Sequence, residues 1–219
     1  MSEMLASSVM LDNMGVLQTE LPIDLFNNLK KSIDTLPEDA AKFNKNLLGH
    51  MDEEYSLNHD KENIAEYLEA LAHTYTQANP GYIEMFEEVS KANYYKLYLD
   101  SLWVNKQKKY EFNPVHHHNG ALSFVIWVKI PYNLEDEEKY FPQTSISSQE
   151  GSGSYTSKFS FVYTDMLGRI RHTPLPIDKT WEGRIIMFPA ALHHCVYPFY
   201  TSDDYRISVS GNIRIRIIE

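Results

Sequence analysis

Five of the nine histidines stand in two tight groups, His116-His117-His118 and His193-His194. On an extended strand, side chains alternate, so His116 and His118 share a face while His117 points away. Two imidazoles placed in this way can grip one metal ion. A third ligand from a neighbouring strand completes a facial triad and leaves open positions for substrate and oxygen. Either His193 or His194 can supply it. Consecutive histidines also occur as plain polar strand ends, but the second pair follows Phe188-Pro189 among apolar residues, and that pairing favours a metal site. The triplet is internal, so it is not a purification tag.

The last stretch of the chain adds a second signal. From Arg206 the residues alternate: Arg206, Ser208, Ser210, Asn212, Arg214 and Arg216 take one face, and Ile207, Val209, Gly211, Ile213, Ile215 and Ile217 the other. An edge strand with one wet face alternates in the same way. Close to a histidine-bearing strand, however, Arg206 offers a bidentate fork for a carboxylate, with the Ser208 hydroxyl beside it. A dicarboxylate held by a metal at one end needs such a cation at the other. No Ser/His/Asp arrangement, phosphate-binding loop or dinucleotide fingerprint competes.

The elements that must position these residues divide near residue 92. Before it the pattern is helical. Leu25, Leu29, Ile33 and Leu36 recur at near-helical spacing behind Asp24 as N-cap, with Pro37 closing the segment. Ile64, Tyr67, Leu68, Leu71 and Tyr75 mark a second helix, and a third short one spans Tyr82 to Val89. After residue 92 the texture is β, with strands expected at 95–104, 109–116, 121–130, 158–164, 168–173, 184–188, 193–199 and 205–217. Asp165 to Gly168 and Thr201 to Asp204 read as hairpin turns. Eight short strands behind a helical segment predict a mainly β fold with α, a jelly roll with helices packed on one sheet. The whole chain, 1–219, reads as one domain, helical over 1–92 and β over 93–219. The stretch 133–157, acidic and then Ser/Gly-rich, reads as a mobile loop or lid.

Composition narrows the partners. Thirty acidic against twenty basic side chains give a formal charge of −10, the wrong sign for a general nucleic-acid binder. Lys106, Lys108 and Lys109 form only a small basic patch. No apolar run is long enough to span a membrane, and Met1 to Leu17 lacks the basic start of a secretory signal. A lone cysteine, Cys195, fits a reducing cytoplasm.

Two blocks of this sequence resemble a 2-oxoglutarate/Fe(II) oxygenase family, prolyl-hydroxylase-like, whose members are frequent in marine bacteriophages. The first runs through Trp103-Val104-Asn105, Asn113-Pro114-Val115-His116-His117-His118-Asn119-Gly120 and Leu122-Ser123-Phe124-Val125-Ile126-Trp127. The second is Phe188-Pro189-Ala190-Ala191-Leu192-His193-His194-Cys195-Val196-Tyr197-Pro198 followed by Arg206-Ile207-Ser208-Val209-Ser210-Gly211-Asn212. The resemblance covers roughly residues 95–215 and implies a double-stranded β-helix with Fe(II) between the sheets. It places the metal ligands, and so the catalytic centre, on His116, His118 and His194, choosing His194 over His193 and leaving His193 as a neighbour that lines the pocket. It implies 2-oxoglutarate as co-substrate, bound by Arg206 with Ser208, and touched by Asn105, by Tyr110 more weakly, or by Asn212. The implied reaction couples decarboxylation of 2-oxoglutarate to oxidation of a substrate by O2, in the cytoplasm, or the host cytoplasm for a phage protein. Position 118 is histidine where the superfamily usually has a carboxylate. A three-histidine, cupin-like dioxygenase that does not use 2-oxoglutarate is therefore one alternative, and a non-catalytic jelly-roll or virion-associated module another. The sequence leaves substrate and oligomeric state open, a dimer included.

Overall fold

The computed structural model describes residues 14–37, 40, 51–91, 94–140, 145–146 and 153–218. The chain enters through a short strand, β1 (Leu17–Glu20), and then helix α1 (Ile23–Asp34). Leu29 and Ile33 are the buried residues of that helix, as their spacing predicts. Its N-cap is Pro22 rather than the expected Asp24, which lies in the first turn. A carboxylate is favoured there by the helix dipole. After β2 (Glu53–Ser56), helix α2 (Glu62–Ala78) buries Ile64, Leu68, Ala72 and Tyr75. The third expected helix is broken: extended backbone at Phe86 separates a 3-10 turn, Ile83–Met85, from a single helical turn, α3 (Glu87–Ser90).

The β part follows as β3 (Tyr94–Gln107), β4 (Asn113–His116) and β5 (Leu122–Lys129). Helix α4 (Leu134–Tyr140) and two short strands, β6 (Ser145–Ile146) and β7 (Gly153–Ser154), come next. The chain continues through β8 (Phe159–Thr164), β9 (Ile170–Leu175), β10 (Arg184–Pro189), β11 (His193–Val196) and β12 (Arg206–Ile218). All eight expected strands are present, but three expectations need correcting. Residues 109–110 turn rather than extend, with Tyr110 at φ 72°. The stretch 133–157 carries a helix and a small ribbon in its described parts, because Glu135, Asp136 and Glu137 sit in the first turn of α4, where acidic side chains complement the dipole. Thr201–Asp204 is not a hairpin: residues 197–205 carry the chain from one sheet to the other.

A six-stranded antiparallel sheet has the order β1-β10-β5-β12-β3-β2, and a four-stranded one the order β4-β11-β8-β9. Strand β5 is buried on both faces, which explains its unbroken apolar run. Leu122, Phe124, Ile126 and Val128 face a core shared with α1 and α2. Val125 and Trp127 face a second core, between the sheets, with Phe159, Phe161, Ile186 and Phe188. The molecule is thus a double-stranded β-helix with helices on the outer face of its larger sheet.

Gly211 shows how closely β12 meets its neighbours. A Cβ there would lie 2.4 Å from the Ser101 carbonyl oxygen and 2.5 Å from the Phe124 ring. Gly211→Ala is therefore expected to destabilise the fold by about 3 kcal/mol, near the upper end of overpacking penalties. A denaturant midpoint equal to that of the wild type would show that the two strands can part at no cost.

Candidate metal centre

The smaller sheet supplies two of the histidines and the segment after β4 the third. His194 lies directly opposite His116 in the β11–β4 pairing. His118 lies beyond the end of β4, not on the strand as alternation assumes; its backbone N–H donates to the Ala190 carbonyl at 2.8 Å, which ties that turn to the segment before β11. One ligand nitrogen from each of His116, His118 and His194 falls within 4.8 Å of the others. His117 and His193 are exposed and pair with each other on the outside, ring centroids 5.0 Å apart. His193 therefore does not line the pocket, because adjacent strand residues face opposite ways.

The imidazoles are arranged so that they could hold a metal ion. His116 Nδ1 donates to the Pro114 carbonyl at 2.7 Å and His194 Nδ1 to the Leu192 carbonyl at 3.0 Å. In each ring the other nitrogen keeps its lone pair for a metal, and the ring's orientation is fixed. Burial depresses all three pKa values: His118 is pushed down to about 4, His116 below its usual range, and His194 well below it. All three are then neutral at physiological pH, the form that binds metal. Phe159 stacks on His194 at 5.3 Å and Phe188 meets it edge-on at 5.0 Å, so that His194 is only 2 % exposed. Three convergent neutral nitrogens in an apolar wall suit a divalent cation of intermediate softness such as Fe(II).

The larger sheet supplies the opposite wall. Cross-strand register puts Glu54, Asn105, Ser208 and Trp127 in one row across β2, β3, β12 and β5. All of them line the histidine pocket, as do Arg206 and Ser210. The Asn105 amide donates to the hydroxyls of Ser208 and Ser210, each at 3.3 Å. Arg206 is 4 % exposed. Its guanidinium donates to Gln107 Oε1 from Nε and from one terminal nitrogen, and to the Tyr132 hydroxyl and the Ser157 and Tyr197 carbonyls. Every one of these acceptors is neutral.

Of the candidates read from the sequence, His116, His118, His194, Arg206, Ser208 and Asn105 meet in one pocket. Asn212 does not: Ser123 donates to its Oδ1 at 2.7 Å and its amide donates to Ser101 at 3.3 Å, further along the strand. Tyr110 is exposed and packs on Tyr200 instead, because the turn at 109–110 carries it away. The Lys106–Lys109 patch is largely spoken for, Lys108 pairing with Glu53 at 3.0 Å and Lys109 pairing with Asp203. Sequence reasoning missed Gln107, Tyr132, Asn113 and Glu54. Gln107 falls on the Arg206 row only through the β3–β12 register, which no periodicity discloses.

The family model described as "Putative 2OG-Fe(II) oxygenase" matches residues 101–212, just over half of the chain and nearly all of the pocket. The chain belongs to this 2OG-Fe(II) oxygenase family. Its cofactors are therefore Fe(II) and 2-oxoglutarate, and it is an oxidoreductase. Two solved structures share the fold of this oxygenase. A prolyl-4-hydroxylase from Pseudomonas putida is 14% identical with TM-score 0.50, covering 92% of each chain. An oxidoreductase of the 2OG-Fe(II) oxygenase family from Burkholderia pseudomallei is 14% identical with TM-score 0.52, covering 91% of this chain and 84% of that one. No curated protein matches the chain.

Glu54, fully buried in the same pocket, gives a pH test of this wall. Burial pushes its carboxyl from 4.5 up to about 8. The folded protein thus keeps a proton that the unfolded chain releases at lower pH, so Glu54's own contribution to stability falls as pH rises between those two values. In the metal-free protein Glu54→Gln removes this penalty. Urea denaturation should show its advantage over wild type growing as pH rises from about 4.5 to about 8. A difference that stays constant across that range would mean that Glu54 ionises as freely folded as unfolded.

Proposed function

We propose that this oxygenase hydroxylates a C–H bond of a separate organic substrate at a metal held by His116, His118 and His194, with Arg206 facing the far carboxylate of 2-oxoglutarate. The observation that carries the reading is the meeting of the three imidazoles within 4.8 Å in a pocket that Arg206 also lines. When bound, Fe(II) and the keto acid together supply the activation of O2 and the oxidising power.

The side chains bind, orient and exclude. The Pro114 and Leu192 carbonyls hold the rings of His116 and His194 in place, so little reorganisation accompanies metal binding. Phe159, Phe188 and Trp127 keep bulk water from the inter-sheet side of the pocket. Arg206 gives up neutral acceptors to a carboxylate, an exchange that favours the anion because charge-assisted hydrogen bonds are roughly twice as strong as neutral ones. Asn105 and Ser208 stand in the same pocket, ready to meet the co-substrate along its length. A reducing cytoplasm would keep both Fe(II) and Cys195 in the states this reading needs.

Anaerobic addition of Fe(II) and then 2-oxoglutarate should produce the visible charge-transfer band of a chelated keto acid. His194→Ala should lose metal by more than the roughly 10–100-fold that loss of an orienting partner alone costs, and the band with it. A variant that still binds metal and still forms succinate would remove His194 from the ligand set. Arg206→Met keeps much of the bulk between Tyr132 and Phe199 and should raise the 2-oxoglutarate requirement about 10- to 100-fold, as expected for hydrogen bonds to a charged group. An unchanged requirement would put the co-substrate elsewhere. Oxygen uptake with substrate but without 2-oxoglutarate would favour direct dioxygenase chemistry.

A further inference from the structure

Strand β4 meets β11 through a bulge: His116 lies opposite His194 and Asn113 opposite Val196, so three steps on one strand match two on the other. Plain alternation would send Asn113 and His116 to opposite faces. The extra residue brings both to the pocket, while Val115, next to His116, faces solvent. Asn113 is 7 % exposed. Its Oδ1 is buried with no hydrogen-bond partner in the protein. Among the described residues its amide nitrogen has one neighbour, His116 Nε2, at 3.4 Å.

That neighbour is the nitrogen a metal would take, since His116 Nδ1 is engaged by the Pro114 carbonyl. Once a cation occupies the Nε2 lone pair, the Asn113 carboxamide loses its protein neighbour. A buried amide left in that state pays its full desolvation penalty. A metal held by Nε2 would leave the carboxamide, 3.4 Å from that nitrogen, beside the metal's own ligands. A molecule bound to the metal is then the partner within reach.

We propose that Asn113 is a positioning residue for a water molecule bound to the metal beside His116. Water on a divalent cation directs its lone pairs to the metal and becomes a strengthened donor, the complement of the unmet Oδ1. Rotation of the amide about its Cβ–Cγ bond presents that oxygen. This inference rests on the three-histidine metal site proposed above and deepens it. One strand supplies a ligand to the metal and a bond to its water, so whatever displaces the water must also break the Asn113 bond.

The test needs no turnover. The absorption spectrum of the Co(II)-loaded protein separates six- from five-coordinate sites, and water-proton relaxation of the Mn(II)-loaded protein reads the exchange rate of bound water. Asn113→Leu, similar in size but without the amide, is expected to shift Co(II) toward five-coordination and to speed water exchange about tenfold, the equivalent of one hydrogen bond. Asn113→Asp keeps an acceptor in the same place and should retain the wild-type spectrum and exchange rate. One spectrum and one rate shared by all three proteins would overturn the proposal. So would an equal loss of metal affinity in both variants, which would make Asn113 a structural residue. A wild-type protein that bound neither ion would instead sink the metal-site reading, and this proposal with it.

Discussion

Antiparallel pairing of β4 with β11 sets His116 against His194, and the geometry of the pocket follows from that register. Directly opposed strand residues have their side chains on the same face and close together, so two imidazoles meet without any loop having to find its place. The third, His118, is brought in by one backbone hydrogen bond from the turn after β4 to Ala190. The first contact lies on the smaller sheet and the second just beyond its strand ends, and the inner face of that sheet packs aromatic rings against the larger one. The core between the sheets therefore holds the two strands in register and also provides the dry wall behind His194. A slip of one residue would turn His194 outward and His193 inward.

Much of this was legible in the sequence because its periods are local. The strands announce themselves by β-branched and aromatic runs, and the alternation of β12 correctly put Arg206, Ser208 and Ser210 on the pocket side and Val209 and Ile213 in the core. What escaped depends on pairing between distant segments. Strands β1 and β2, four residues each, are too short to carry a period and exist because the edges of the large sheet offer them hydrogen bonds. The bulge in β4 hid Asn113, since alternation assigns it the wrong face. Asn212 failed for the opposite reason: it has the right face but lies too far along β12, where Ser123 and Ser101 occupy it. Tyr132 reaches Arg206 across 74 residues of chain, a distance at which no spacing rule operates.

The family resemblance and the residue pattern contributed different things. Spacing alone left His193 and His194 equivalent. The structure separates them by burial, with His194 enclosed by Phe159 and Phe188 and His193 in solvent against His117. The fold is shared with oxygenases at only 14% identity, so what persists is an arrangement of two sheets.

The neutral environment of Arg206 has a consequence for the charge balance of the whole pocket. Its ionisable lining consists of the histidines, Arg206 and Glu54, and burial leaves the imidazoles unprotonated and the Glu54 carboxyl protonated at neutral pH. The guanidinium is then the one cation among these lining groups, and a ferrous ion bound there as proposed would add to it. A dianionic keto acid would cancel that metal's charge but not the arginine's, so the cavity, loaded as proposed, would retain a positive surplus that a carboxylate at position 118 would remove. Such a cavity attracts anions over a distance set by the Debye length, about 10 Å at 0.1 M salt. It would also disfavour further loss of electrons from an ion held there.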